Sequence, residues 1–233
     1  MRLRPGLALA LVLAVASSAA AEMIEKKGRF GGLELTYKVV LPPDFDPQRT
    51  YPAVLVFTGG GQQLTGAERT LQADWRAEGE RRGYILIAPG TPNGQLFFDG
   101  ADRVFPEFLD AILRDYRIEG GKLHVAGHSN GGISAFHVAT LHPQYFRTVT
   151  GYPGLLDGVA NPARIQALEP MCVFMHVGDM DPGWKSAMER QYDNLRRQGF
   201  RIQFKVEPNQ VHRLRSQEIR LSTRLFDQIE GCN

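Results

Sequence analysis

An α/β fold is predicted for this 233-residue chain: a mostly parallel, twisted sheet with helices on both faces and no large lid domain. Three observations predict it. Short apolar runs such as Ala53–Phe57, Tyr84–Ala88 and Cys172–Val177 have the length and continuity of strands buried on both faces. Longer segments with helical periodicity alternate with them, the pattern of a parallel sheet with right-handed crossovers. Finally, one strand-like run passes straight into a helix through Gly127-His-Ser-Asn-Gly131. In such a sheet, reactive groups collect on the loops at the C-terminal ends of the strands.

The elements follow in order. After a polar stretch from Glu22, Leu35–Leu41 is the first strand expected, rich in β-branched and aromatic residues, and Pro42, Pro43 and Pro47 end it. Ala53–Phe57 is a buried strand running into Thr58-Gly-Gly-Gly-Gln62. Ala67–Arg82 reads as a helix closed by Gly83, and Tyr84–Ala88 as the next strand. Thr91–Gly100 is a loop. Asp102–Tyr116 carries an apolar stripe of Val104, Phe105, Phe108, Ile112 and Leu113. The Lys122–Gly127 strand leads into a helix from about Gly131 to Leu141, stopped before Pro143. Thr148–Tyr152 is a strand, and Pro153–Pro170 holds at most one short helix. Cys172–Val177 and Arg201–Val206 are the last strands, and Lys185–Gln198 and Ser216–Glu230 the last helices.

Gly127-His-Ser129-Asn-Gly131 matches the G-x-S-x-G nucleophile elbow of the α/β-hydrolase fold. The serine occupies a sharp strand-to-helix turn, where a side chain two residues before or after it would collide as the helix folds back. Its own N–H and that of Asn130 lie at the foot of a helix, where backbone donors favour negative charge. A serine hydroxyl is a poor nucleophile at neutral pH, so a base must take its proton and an acid must orient that base. The fold orders them Ser, Asp or Glu, His. The carboxylates just after a late strand are Asp179 and Asp181; Asp181, before a proline and a helix, is favoured, with Asp179 the alternative or a supporting residue. Of six histidines, only His212 lies in a loop after the last strand and before the last helix.

The oxyanion hole needs two backbone donors aimed at developing charge. Asn130 is one; the other comes from the glycine loop after Phe57, at Gly60 or alternatively Gly61 or Gln62. That loop lacks the Lys-Ser/Thr of a phosphate-binding loop and the spacing of a dinucleotide fingerprint. No metal-ligand spacing occurs, and no cofactor is expected. His128, Phe97, Phe98 and Trp184 fall near the mouth and are candidates to line a substrate pocket.

Composition is that of a globular protein, 43% hydrophobic and 22% charged, with formal net charge +2. This argues against nucleic acid or an acidic membrane surface as the partner. Arg2 and Arg4, the apolar run Leu7–Val15 and Ala19-Ala20-Ala21 read as a signal peptide over residues 1–21. A periplasmic or secreted chain follows, 22–233 as one domain with no membrane anchor after cleavage. Cys172 opens a late strand at the sheet's N-terminal edge, and a last helix running antiparallel to the strands returns Cys232 to that edge. A Cys172–Cys232 disulfide is therefore expected, worth about 3–4 kcal/mol.

Three segments resemble the polyhydroxybutyrate depolymerase and feruloyl esterase branch of the α/β-hydrolases: Leu41–Phe45 with Tyr51–Gln62, Tyr116–Gly132, and Gly178-Asp-Met-Asp-Pro182. The chain departs from it at Thr58-Gly59, where that branch usually has His-Gly, and at Pro208-Asn-Gln-Val-His212, which lacks the usual glycine before the histidine. The resemblance implies a secreted carboxylic-ester hydrolase acting on small-molecule or polymeric esters, with Ser129, Asp181 and His212 as its triad. A serine peptidase of the same fold and an inert hydrolase-fold binding protein are the alternatives.

Overall fold

The computed structural model describes residues 22–157, 162–215 and 218–232; the expected signal peptide and Ser216 lie outside the described residues. Eight strands form one sheet: β1 (Met23–Phe30), β2 (Leu33–Val40), β3 (Ala53–Phe57), β4 (Ile85–Pro89), β5 (Leu123–Gly127), β6 (Phe146–Gly151), β7 (Cys172–Gly178) and β8 (Ile202–Glu207). Their spatial order is β1-β2-β4-β3-β5-β6-β7-β8. β2 is antiparallel to β1 and to β4, and every other pairing is parallel.

β1 is a departure from the sequence expectation, which had no strand before Leu35. Met23–Phe30 alternates half-buried and exposed residues and carries Glu25, Lys26 and Lys27. Such a polar strand gains its backbone partners from one neighbour only, and its charges suit an unpaired edge. Gly31 and Gly32, both at positive φ, form the tight turn that sets its register on β2.

Helices cover both faces. On one, α3 (Phe105–Asp115), α4 (Asn130–Leu141) and α6 (Pro182–Arg197) bury Phe105, Phe108, Phe136, Val138, Met188 and Leu195 against Leu55, Val125 and Val173. On the other, Ala67, Leu71, Trp75, Leu225 and Phe226 pack on Val54, Val56 and Leu86. They come from α1 (Leu64–Thr70), a π-helical turn (Leu71–Trp75) running into α2 (Arg76–Arg82), and α7 (Leu221–Glu230). The helix expected at Ala67–Arg82 thus starts three residues earlier and contains a π-turn, and it does end at Gly83, with φ +75°. A short α5 (Pro162–Gln166) lies within the stretch expected to hold one short helix. No helix among the described residues is long and apolar enough to cross a membrane.

Cys172, the first residue of β7, and Cys232, just beyond α7, are joined in a disulfide across 60 residues of chain, as the direction of the last helix required. At the opposite edge, β3 lies between β4 and β5, so consecutive crossovers leave it in opposite directions. The crevice at this reversal, between the loops after β3 and β5, is where open α/β sheets bind ligands.

Candidate active site

The turn after β5 is strained. Ser129 has φ +58° and ψ −123°, outside the regions open to most side chains. Glycines on either side make the turn possible. A Cβ at Gly127 would strike the carbonyl of Gly131, and one at Gly131 would strike the carbonyls of Phe57 and Thr58. The Ser129 N–H donates to the Pro153 carbonyl at 2.8 Å, which anchors the elbow to the loop after β6. That N–H is therefore committed to the scaffold, and Asn130 is the elbow's remaining donor.

The loops after β7 and β8 bring the other residues in. Gly178 packs so closely on Gln210 that a Cβ would strike its carbonyl. The Asp179 N–H donates to the Glu207 carbonyl and the Met180 N–H to that of Gln210, each at 3.0 Å. Asp179 Oδ1 accepts from the Gln210 N–H at 3.2 Å. Asp179 thus fastens the two loops together, while Asp181, at the N-cap of α6, makes no capping bond with its side chain. Asp181 Oδ2 instead lies 2.6 Å from His212 Nδ1, and His212 Nε2 lies 2.8 Å from Ser129 Oγ. In this series the hydroxyl donates to Nε2 and Nδ1–H donates to the carboxylate. Asp181 is well covered, with 13% of its side chain exposed, against 41% for His212.

Beneath the β8 loop, the buried Glu207 carboxylate accepts from His176 Nδ1 at 2.9 Å and pairs with the Arg224 guanidinium at 2.8 Å. Burial alone would raise the Glu207 pKa, but the hydrogen bonds from His176 and Arg224 outweigh it and hold the carboxyl below its ordinary range.

The glycine loop after β3 is held against the elbow. A Cβ at Gly59 would lie 2.6 Å from His128 Nδ1 and 3.3 Å from Ser129 Cβ, so only glycine allows this approach. Gly60 has φ +61°, and its carbonyl accepts from Asn130 Nδ2 at 2.9 Å. Gln62 is buried, and its amide is a strut: Nε2 donates to Ser134 Oγ at 2.8 Å and Oε1 accepts from the Phe97 N–H at 3.1 Å. Its own N–H closes a turn on the Gly59 carbonyl at 3.2 Å, which removes Gln62 from the possible backbone donors. These straps escaped the sequence reading. The signal available was a glutamine directly after three glycines, too polar to belong in a core without partners.

The four expected pocket residues divide. Phe97 is fully buried between Phe57 and Phe105, at ring distances of 5.3 and 5.2 Å, so it belongs to the core and not to a pocket wall. Phe98 is half-buried on the same loop. Trp184 stands at the start of α6 with its ring 5.5 Å from that of His212. His128 lies 5.3 Å from the same imidazole, and its Nε2 donates to the His212 carbonyl at 3.3 Å. Burial pushes the His128 pKa down to about 4, so the ring is neutral at pH 7. A cavity of roughly 200 Å³ adjoins the site, with Gly59, Gly60 and His128 in its wall.

Fold and site geometry define the class: the chain has the α/β-hydrolase fold. Solved structures with this fold include the dienelactone hydrolase of Anabaena variabilis, at 16% identity and TM-score 0.68, covering 90% of this chain and 97% of that one. A ferulic acid esterase superposes at 18% identity and TM-score 0.66, covering 88% and 96%. In sequence, the chain is 32% identical over 139 residues to dipeptidyl-peptidase 5 of Porphyromonas gingivalis. The matched stretch is 54% of this chain and only 20% of that protein. No family model matches the chain.

Proposed function

We propose that the protein is an exported serine hydrolase cleaving carboxylic esters through an acyl-enzyme, with Ser129 as nucleophile, His212 as general base and acid, and Asp181 orienting His212. The observation that carries this reading is the unbroken hydrogen-bond series from Asp181 through His212 to Ser129, at 2.6 and 2.8 Å. His212 Nε2 takes the hydroxyl proton as Oγ attacks the ester carbonyl, and Asp181 stabilises the imidazolium that forms. The N–H groups of Gly60 and Asn130 hold the oxyanion. His212 then gives its proton to the leaving alcohol, and water, activated by the same ring, releases the acid. Trp184, packed against His212, and the exposed Met180 and Val211, next in sequence to Asp181 and His212, supply apolar surface for an aryl or acyl group or a polyester strand. The disulfide supports an oxidising compartment, periplasmic or extracellular.

The test is labelling by a fluorophosphonate together with turnover of short p-nitrophenyl esters. Labelling of the wild type that disappears in Ser129→Ala is the expected result; folded wild type that neither labels nor turns over would leave the inert binding protein. The match to dipeptidyl-peptidase 5 favours one second reading, a peptidase on the same site. Release of p-nitroaniline from dipeptidyl substrates at rates above ester cleavage would establish it.

A further inference from the structure

The cavity beside the elbow has the wrong lining for an acyl chain. Leu214 is its one aliphatic lining residue, while Thr58, Thr70 and Tyr152 are hydroxyl-bearing residues of the wall and Arg69 and Arg213 are its two arginines. Arg69 lies on α1, and Arg213 directly follows His212, so the cations approach from separate elements. Both residues are exposed, and neither guanidinium has an ion-pair or hydrogen-bond partner among the described residues. The one carboxylate of the wall, Asp74, is not without a partner of its own. His128 adds no charge, because it is neutral at pH 7.

The hydroxyls have protons to give. Thr58 and Thr70 share one hydrogen bond of 2.9 Å, which uses one of their two protons. The Tyr152 hydroxyl accepts from Trp75 Nε1 at 2.8 Å and keeps its own proton. A site with hydroxyl donors and two guanidiniums that are unpaired among the described residues selects an anion with several acceptor oxygens. Its volume, roughly 200 Å³, suits a short acid and not a macromolecular segment.

We propose that this cavity is a substrate subsite for a carboxylate, so that the esters turned over best carry a free acid group a few atoms from the scissile carbonyl. The inference rests on the serine esterase reading. Gly60 and His128 join the two places: both line the cavity, Gly60 is the proposed oxyanion donor, and His128 supports His212. A substrate anchored at Arg69 and Arg213 would lie across the glycine loop with its carbonyl delivered to Ser129.

The experiment compares mono-p-nitrophenyl succinate, glutarate and adipate with neutral p-nitrophenyl esters of equal chain length. The expected result is a ratio of kcat/KM favouring the acids by about tenfold or more, with one preferred length and a preference that shrinks as salt rises. Arg69→Gln and Arg213→Gln should each reduce that ratio about fivefold or more, mainly through KM. Arg196→Gln, which removes an exposed cation at the far end of α6, should keep it. In parallel, glutarate and inorganic phosphate are titrated calorimetrically into Ser129→Ala. Glutarate binding that weakens with Arg69→Gln supports the subsite without reference to turnover. Equal turnover of acidic and neutral esters by a fluorophosphonate-reactive enzyme would overturn the subsite and leave the esterase reading intact. Phosphate binding that does not compete with the ester would overturn it as well. Failure of labelling would remove the esterase reading, and with it the subsite as part of a substrate path.

Discussion

At the C-terminal edge of the sheet the backbone is repeatedly forced into conformations that most residues avoid. Gln62 after β3, Asn93 after β4, Ser129 after β5 and Asn209 after β8 all have positive φ, four of the six such non-glycine residues among those described. Loops there approach within distances only glycine permits, at Gly59, Gly127, Gly131 and Gly178. At the N-terminal edge the chain does the opposite: Cys172 and Cys232 close a long loop, and an apolar residue, Phe174, packs beside them. The contrast teaches where strain is tolerated. Positive φ costs about 1–3 kcal/mol per residue, and it persists where neighbours over-determine the geometry. One edge therefore positions reactive atoms, and the other contributes the stability that holds them in place.

If that division is real, substitutions at the two edges should separate activity from stability. The largest effect is expected at Asp181. Asp181→Asn keeps the volume but leaves His212 Nδ1–H facing an amide, and kcat should fall by about 10⁴-fold with little change in Tm. Asp179→Asn weakens only the tie to Gln210, so a fall of about tenfold or less is expected. Steady-state kinetics and melting curves on both variants measure the contrast; equal losses would mean that the two aspartates share one role. Next comes the opposite edge. Replacing both Cys172 and Cys232 by serine removes a cross-link spanning 60 residues. It should lower unfolding free energy by about 4 kcal/mol. Urea denaturation reads that loss, and kcat at room temperature should stay within about twofold.

How far this was legible in the sequence depends on the reach of each signal. The elbow announces itself because its constraints are local: Gly127 and Gly131 sit two residues either side of Ser129. The disulfide followed from strand and helix direction, which alternation of elements encodes. The sequence favours Asp181 but leaves Asp179 open, because both lie in the same turn and only the packing of Gly178 on Gln210 separates their reach. β1 was missed since an edge strand hydrogen-bonded on one side tolerates Lys and Glu and lacks an apolar run. Phe97 was placed at the mouth by its loop, but irregular backbone has no period, so nothing in the sequence says that its ring turns inward to Phe57. Gln62 illustrates the same gap: its partners Ser134 and Phe97 are 72 and 35 residues away.

Gln62 also tests the contrast between edges, because it is a buried strut at the strained edge. Gln62→Leu removes both side-chain bonds and leaves the Phe97 N–H and Ser134 Oγ without their partner. Unsatisfied buried groups cost about 1–3 kcal/mol each, so with two of them stability should fall by about 2–6 kcal/mol. The glycine loop also loses its anchor, and kcat should fall about tenfold with KM little changed. A variant that loses stability alone would show that the loop holds its geometry without the strut.

The smallest effect concerns the neighbouring histidines at the elbow. His128 is held at a pKa of about 4 by burial, against about 6.5 when unfolded. The unfolded chain therefore takes up a proton first as pH falls, so His128 favours the folded state fully above about pH 6.5 and loses that contribution as pH drops toward 4. At pH 6 the loss is on the order of 1 kcal/mol, within reach of careful denaturant titrations. His124, pushed down to about 3 by burial and bonded to Thr148, adds a second loss with the same sign. His128→Gln keeps a donor for the His212 carbonyl but cannot titrate. The difference in stability between wild type and this variant should stay level above pH 6.5 and decline below it. A difference that stayed flat to pH 4 would mean that His128 takes its proton in the folded state as easily as in the unfolded one.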